Sequence, residues 1–261
     1  MRFKIILSTE KHAFGNRLPI NYQYELSGVI YRILSSASED YATWLHDNGF
    51  TLDSKQFKLF TYSRLIIPSY TIEKESACIR INSDTVEWHV SFLPEESTMK
   101  FVQGVFMNQE FQLGGWKNKV QFRVQSVQVL PNPQFENEMT FETLSPICIS
   151  LRNDSGKTEY LSPSDNRSKE SILFSLLNRY QAFYGKPYSG DIDFNFDLLT
   201  TPKSVLVTYK ANTENESRVR GYMCKFRMKS NPDLLKLAYE CGVGMKGSQG
   251  WGMVKTVGID F

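Results

Sequence analysis

The sequence has few of the residues and motifs that mark several common classes of protein. Its four cysteines lie far apart without a C-x-x-C pair, so neither a zinc ribbon nor a compact disulfide framework is expected. The apolar run within residues 1–7 is too short for a signal peptide or a membrane span. Metalloprotease, nucleophile-elbow and P-loop motifs are absent, and no carboxylate spacing suggests a two-metal site. We therefore expect a cytoplasmic protein with reduced thiols, no membrane segment, no metal and no cofactor.

The net charge is small but unevenly distributed. With 41% hydrophobic and 22% charged residues, the 261-residue chain has a globular composition and is long enough for two ordinary domains. Residues 201–261 contain ten Lys or Arg and five acids, so this quarter carries +5 while the rest carries −3. A basic quarter would attract a polyanion, although a solvated basic face explains the same asymmetry.

The order of predicted elements repeats along the chain. Strands are expected at 3–8, at 57–67, at 77–81 with 86–92, and at 120–130, with helices from Pro19, at 38–48 and from Leu93. A second series has strands at 139–151, 191–196, 204–209, 218–228 and 251–259, and helices at 168–184 and 231–241. Pro131 and Pro133 separate the two series. The pattern predicts an α+β fold of two tandem ferredoxin-like (RRM-like) βαββαβ domains, residues 1–132 and 133–261.

The most specific motif is a glycine-rich segment near the end of the chain. It formally contains G-x-G-x-x-G, but a helix precedes it and a strand follows, which is the reverse of a dinucleotide-binding site. Glycines let a backbone approach a phosphate closely, and a central lysine adds charge, although glycine loops also serve as connectors. Trp251 could stack on a base or pack in the core. The candidate RNA-binding residues are Gly242, Gly244, Lys246, Gly247, Gly250 and Gly252.

At this loop the sequence resembles the CRISPR-associated endoribonucleases that process precursor CRISPR RNA, a family of the RAMP superfamily. Segments 1–3, 21–24 with 30–31, 58–63 and 143–147 are similar to other recurring segments of the family, so the resemblance spans nearly the whole chain. It implies two ferredoxin-like domains with a cleft between them that bind CRISPR repeat RNA. It also implies one metal-independent cut per repeat by the RNA's own 2′-hydroxyl, leaving a 2′,3′-cyclic phosphate (or 3′-phosphate) and a 5′-hydroxyl.

The resemblance further implies three catalytic residues. His46 matches the family's histidine and is assigned as general acid–base, a role that suits histidine because an unperturbed imidazole has a pKa of about 6.5. Tyr31 matches the family's tyrosine and would contact the 2′-hydroxyl, and Lys58 matches the lysine that faces the scissile phosphate. The stretch 48–57 is longer than in the relatives, so Lys55 is an alternative to Lys58. Taken singly, the histidine fits a surface role and the tyrosine a core role.

Further cations on the predicted strand 218–228 would contact RNA, because alternate residues share a face. The same cations could instead protect an exposed sheet edge. These residues are Arg218, Arg220, Lys225 and Arg227. The main alternative function is a non-catalytic repeat-RNA-binding subunit of a CRISPR effector complex, whose other subunits would then be partners. A ferredoxin-like scaffold without RNA is a more distant alternative. A monomer and a homodimer fit the sequence equally.

Overall fold

The computed structural model describes residues 1–115, 117–210 and 214–258, and these residues form two α+β units in succession. The α-helices are α1 (Lys11–Phe14), α2 (Gln23–Ala37), α3 (Glu39–Asp47), α4 (Glu95–Met107), α5 (Asn166–Tyr184) and α6 (Pro232–Cys241). The strands of the first unit are β1 (Arg2–Thr9), β2 (Arg17–Pro19), β3 (Phe50–Leu52), β4 (Lys55–Phe57), β5 (Phe60–Tyr62), β6 (Tyr70–Glu73), β7 (Cys78–Ile81), β8 (Thr85–Phe92), β9 (Glu110–Gly114) and β10 (Lys119–Leu130). The strands of the second unit are β11 (Glu138–Thr143), β12 (Ser150–Arg152), β13 (Thr158–Tyr160), β14 (Asn195–Leu198), β15 (Lys203–Tyr209), β16 (Ser217–Met223), β17 (Lys225–Lys229) and β18 (Val254–Thr256).

The first unit is built on an antiparallel sheet in the order β5-β8-β1-β10-β9. Alternate residues of β1 are buried, beginning with Phe3, Ile5 and Leu7, as a period-two strand pattern requires. Helix α2 buries the predicted apolar stripe, which includes Leu26 and Ile30, and packs against α4. In this sheet order β1, the first strand of the βαββαβ pattern, lies between the third strand, β8, and the fourth strand, β10.

The second unit repeats this topology with the sheet order β14-β17-β11-β18. Helix α6 begins where the Asn231 side chain accepts a hydrogen bond from the Asp233 N–H at 3.1 Å. The first strand of this unit, β11, again lies between the third strand of the pattern, β17, and the fourth, β18. The predicted fold class of two tandem ferredoxin-like domains is confirmed.

Several predicted strands are shorter than their sequence pattern indicates. The predicted strand 57–67 is interrupted by Leu59, which has φ +52°; Phe60–Tyr62 forms a strand of the sheet, and Ile66 pairs with Glu87 of β8 through an isolated bridge. The predicted strand 139–151 divides into β11 and β12, and 191–196 becomes a strand only from Asn195. The last strand is limited to Val254–Thr256, and residue 259 of the predicted strand lies outside the described residues.

The prediction of one long strand at 218–228 was wrong. Two strands of different sheets meet at Cys224: β16 pairs with β15 in a hairpin, and β17 lies within the four-stranded sheet. The Cys224 N–H donates to Thr143 Oγ1 at 3.0 Å, and its carbonyl accepts from the Thr143 N–H at 3.1 Å. The alternation of polar and apolar residues continues through this junction, so the pattern contains no sign of the break.

The two units share a buried interface. Arg2 is 1% exposed, and its guanidinium donates to the Val254 carbonyl at 2.6 Å and lies 3.5 Å from the centre of the Tyr239 ring. Thr61 Oγ1 donates to the Trp251 carbonyl at 3.0 Å, and the Gln23 amide donates to the Gly250 carbonyl. The glycine-rich segment is thus attached to the first unit. In the described part of the chain, no helix is long and apolar enough to span a membrane.

Candidate active site

His46 lies in the last turn of α3 with its side chain exposed. The helix begins at Ser38, whose hydroxyl accepts from the Tyr41 N–H at 3.3 Å, and two acids occupy its first turn. His46 Nδ1 lies 2.7 Å from Asp47 Oδ1, a contact that orients the ring. Nε2 is therefore the ring nitrogen that remains for a substrate, as is usual when a carboxylate engages the other nitrogen.

Tyr31 packs edge-on against His46 although the two residues belong to different helices. Their ring centroids are 5.1 Å apart with an interplanar angle of 79°, and Tyr31 also contacts Phe60 at 5.8 Å. Tyr31 is half-buried, and its burial raises the pKa of the phenol well above the ordinary value of about 10. A phenol is protonated at neutral pH even at the ordinary pKa, and this shift moves its ionisation further away, so Tyr31 can donate a hydrogen bond.

Lys58 lies beside the same end of α3. Its stem passes Gly49, where a Cβ atom would be 3.0 Å from Lys58 Cδ and 2.7 Å from the Phe57 carbonyl oxygen. Its Nζ is shielded from solvent and has no hydrogen-bond partner among the described residues. Burial lowers the pKa of Lys58, and the nearby charge of Asp47 opposes that change. The structure thus brings Lys58 next to the helix end that carries His46.

Lys55, the alternative lysine, has a different environment. It is the first residue of β4, in the hairpin that connects α3 to β5. Its Nζ lies 4.8 Å from the centroid of the Phe174 ring on α5 of the second unit. Lys55 therefore contacts α5, whereas Lys58 contacts the end of α3.

A cavity of about 320 Å³ separates Lys58 from the glycine-rich segment. Residues 56–60 form one wall, and residues 244–249 with Ser175 and Arg179 form the other. Lys246 is exposed at this cavity and precedes a single 3₁₀ turn, Gly247–Gln249. The tertiary structure thus places the glycine-rich segment opposite the first unit's catalytic candidate.

The glycines of this segment are required mainly by protein packing. Gly242, Gly244, Gly250 and Gly252 are buried, and all four have positive φ. A Cβ at Gly250 would lie 2.4 Å from a carbon of the Tyr62 ring, so only glycine permits this approach. Their arrangement fixes the backbone on which Lys246 stands.

Trp251 is part of the core. The side chain is completely buried, and its indole N–H donates to the Tyr209 hydroxyl. Of the two interpretations offered by the sequence, packing in the core is the one that the structure supports, since a buried ring cannot stack on a base.

The four cations predicted on one strand occupy two. Arg218 and Arg220 are exposed on β16, where Arg220 donates to Ser204 Oγ at 2.7 Å. Lys225 is half-buried and Arg227 exposed on β17. The structure does not bring these residues together in a single row.

Arg179 is a residue of this region that the sequence analysis missed. It is 6% exposed on α5, and its Nη1 donates to the Cys241 and Gly242 carbonyls at 3.1 and 2.7 Å. Burial lowers the pKa of its guanidinium. Because these carbonyls end α6 and begin the glycine-rich segment, Arg179 positions the loop. The sequence contains a signal for this buried position, because Arg179 follows Leu176 by three residues and so lies on the apolar face of α5.

The fold and the loop together define a class of protein. Paired ferredoxin-like units with a glycine-rich segment between the last helix and the last strand are the arrangement expected of the RAMP superfamily. Two solved structures share this architecture over nearly their full length. The structure titled "Characterization of a Cas6-related gene from Pyrococcus furiosus" has a TM-score of 0.83 and 27% identity, covering 100% of this chain and 99% of that chain. The structure titled "An RAMP protein binding different RNA substrates" has a TM-score of 0.81 and 26% identity, covering 98% and 99%.

Sequence comparisons assign the family. The model described as "CRISPR-associated protein Cas6, N-terminal" matches residues 17–128, and "CRISPR associated protein Cas6, C-terminal" matches residues 130–256. CRISPR-associated endoribonuclease Cas6 1 of Methanocaldococcus jannaschii is 31% identical, over 98% of this chain and 93% of the relative. CRISPR-associated endoribonuclease Cas6 of Pyrococcus furiosus is also 31% identical, over 99% and 90%. The chain belongs to the Cas6 family of CRISPR-associated proteins.

Proposed function

We propose that this chain is an endoribonuclease that binds CRISPR repeat RNA and cuts precursor CRISPR RNA once within each repeat. Two relatives named as CRISPR-associated endoribonucleases are 31% identical to it over nearly the full length of both chains. The observation that carries the proposal is the contact between the Tyr31 and His46 rings at 5.1 Å. Acid–base groups from separate helices meet there beside a lysine.

The proposed reaction uses only groups of the protein and the RNA. The 2′-oxygen attacks phosphorus, the bond from phosphorus to the 5′-oxygen breaks, and a 2′,3′-cyclic phosphate and a 5′-hydroxyl remain; a 3′-phosphate forms when water then opens the cyclic phosphate at its 2′-oxygen. His46 accepts the 2′-hydroxyl proton and returns a proton to the departing 5′-oxygen. Tyr31, whose phenol is protonated at neutral pH, hydrogen-bonds the 2′-hydroxyl. No metal ion takes part in this scheme.

Lys58 is proposed to stabilise the negative charge that develops on the phosphorane. An ammonium shielded from water interacts more strongly with such a charge than one in bulk solvent. Two observations support it over Lys55: its stem passes Gly49 at the end of α3, and its Nζ has no protein hydrogen-bond partner among the described residues. We expect Lys58→Met to abolish cutting and Lys55→Met to retain the chemical step in single-turnover assays.

RNA binding is proposed for the glycine-rich segment and the basic residues near it. Lys246 is exposed beside the cavity that Lys58 lines, and Arg218 and Arg220 are exposed on the β15–β16 hairpin. Lys225 and Arg227 are retained as candidates on β17. Phosphate contacts by these cations would make the affinity fall with increasing salt. Co-purification can test whether subunits of an effector complex are further partners. Light scattering can distinguish a monomer from a homodimer.

The deciding experiment is RNA cleavage in excess EDTA. The repeat RNA and the same RNA with a single 2′-deoxy at the cut site are incubated with the wild type, with His46→Ala and with His12→Ala. His12 is an exposed histidine on α1 and serves as the matched control. We expect the wild type and His12→Ala to cut only the unmodified RNA, and His46→Ala to cut it far more slowly.

Each other outcome has a definite meaning. Tight binding by the wild type without cutting would favour the non-catalytic subunit of an effector complex. Cutting of the 2′-deoxy RNA would exclude the 2′-hydroxyl as nucleophile, and loss of cutting in EDTA would exclude the metal-independent scheme. Equal rates for His46→Ala and His12→Ala would remove His46 from the mechanism.

A further inference from the structure

A groove on the second unit combines an exposed aromatic ring with basic side chains. Phe174 on α5 is 56% exposed, and Lys55 reaches it from the first unit, with Nζ 4.8 Å from the ring centroid. The rest of the apolar lining consists of Leu151, Leu173, Leu177 and Met245. The volume of the groove is about 750 Å³, within the range of about 300–1,000 Å³ typical of small-molecule sites.

The groove adjoins the cavity opposite Lys58. Met245, in the glycine-rich segment, lines both. Its sulfur accepts a hydrogen bond from Ser150 Oγ at 3.3 Å, and Ser175 Oγ on α5 donates to the Gly244 carbonyl at 2.9 Å. An RNA strand whose phosphate lies in that cavity would therefore enter the groove with an adjacent nucleotide.

The charge of the groove suits an anionic occupant. Its lining includes three cations, Lys55, Arg152 and Arg167, and one carboxylate, Glu170. Arg167 is neutralised by ion pairs with carboxylates outside the groove. Arg152 and Lys55 form no ion pair within the described ranges, and Lys55 Nζ faces the Phe174 ring. Two cations thus remain available to a phosphate.

We infer that this groove binds an unpaired nucleotide of the RNA next to the scissile phosphate. Phe174 stacks on its base, and Lys55 and Arg152 face its phosphate. Stacking on exposed aromatic side chains is how proteins commonly hold unpaired bases, and it tolerates any base because each has a π-face. The assignment gives a function to the β3–β4 hairpin that carries Lys55. It rests on the proposed function, since it extends the RNA path from the proposed cleavage site.

The test couples a protein change to an RNA change. Affinity and single-turnover cutting are measured for the wild type, Phe174→Leu and Phe174→Trp, with Phe106→Leu as control. Phe106 is 69% exposed on α4, so both leucine variants alter a surface ring at little cost to folding. The RNAs are the intact repeat and repeats with one abasic nucleotide at each position flanking the cut. We expect Phe174→Leu to weaken binding of intact RNA on the order of tenfold, and Phe174→Trp and Phe106→Leu to bind like the wild type.

Stacking is identified by whether the effect of Phe174→Leu on affinity depends on the presence of one particular base. At one flanking position the abasic RNA should bind the wild type and Phe174→Leu equally, because the base that the ring would hold is missing. If Phe174→Leu loses the same affinity for intact RNA and for every abasic RNA, the subsite is overturned. Unchanged RNA binding by Phe174→Leu, while the wild type still cuts, would also overturn it. The latter result would point to a protein partner as occupant. A wild type that neither binds nor cuts the repeat would overturn the proposed function together with the subsite.

Discussion

Replacement of Gly49 by alanine tests whether the position of Lys58 controls activity. Gly49 follows α3 with φ +60°, and its missing side chain leaves room for the Phe57 carbonyl and the Lys58 stem. The left-handed conformation costs alanine about 1–2 kcal/mol. A Cβ 2.7 Å from an oxygen and 3.0 Å from a methylene forces a local shift, which costs about 1–3 kcal/mol more. We expect a total loss of about 2–5 kcal/mol in the free energy of unfolding, with Lys58 displaced.

Gly185→Ala is the matched control for this change. Gly185 ends α5 with φ +69°, and a Cβ there would have no heavy atom within 4 Å. Gly185→Ala therefore has the same kind of backbone strain as Gly49→Ala but displaces no neighbouring group. In single-turnover assays below the melting temperature of both variants, we expect Gly185→Ala to cut like the wild type. Gly49→Ala should cut about a hundredfold more slowly, since a misplacement of about 1 Å can have that effect.

The comparison can refute the reasoning in two ways. Equal losses of stability, measured by chemical denaturation, would mean that the contacts at Gly49 relax without cost. A Gly49→Ala variant that is destabilised but cuts like Gly185→Ala would mean that the position of the Lys58 stem does not limit the reaction.

Three further predictions concern buried groups. Trp251→Ala should lower the free energy of unfolding by about 3–5 kcal/mol in denaturant titrations, with RNA affinity per folded molecule unchanged; a stable variant with weak RNA binding would contradict the core assignment. Burial lowers the pKa of His89, so the unfolded state binds more protons below about pH 6.5, and stability should fall as the pH decreases through that value. His89→Gln should reduce that dependence, and an unchanged pH profile would contradict it. Burial raises the pKa of three thiols to about 12, so iodoacetamide at pH 8 should modify them only after unfolding, and rapid reaction of the native protein would contradict their burial; these are Cys148, Cys224 and Cys241.

The architecture was predictable because both units follow simple local patterns. The apolar stripe of α2 and the alternation of apolar residues in β1 each indicate one buried face. The order of helices and strands then restricts the chain to a small number of possible topologies. Local patterns failed where the chain changes partners without changing its alternation, as at Cys224 between β16 and β17. They also failed at Leu59, where a positive φ is imposed by the surrounding fold.

The candidates follow from the amino-acid pattern alone: the two βαββαβ series and the glycine-rich segment, together with the resemblance that points to Tyr31, His46 and Lys58. Which of these residues meet depends on how the folded chain packs. The Tyr31–His46 contact, the opposition of Lys58 and Lys246 across a cavity, and the burial of Trp251 all join segments distant along the chain. Arg179 was missed for the same reason, because its role depends on carbonyls more than 60 residues away that packing alone brings within hydrogen-bonding distance.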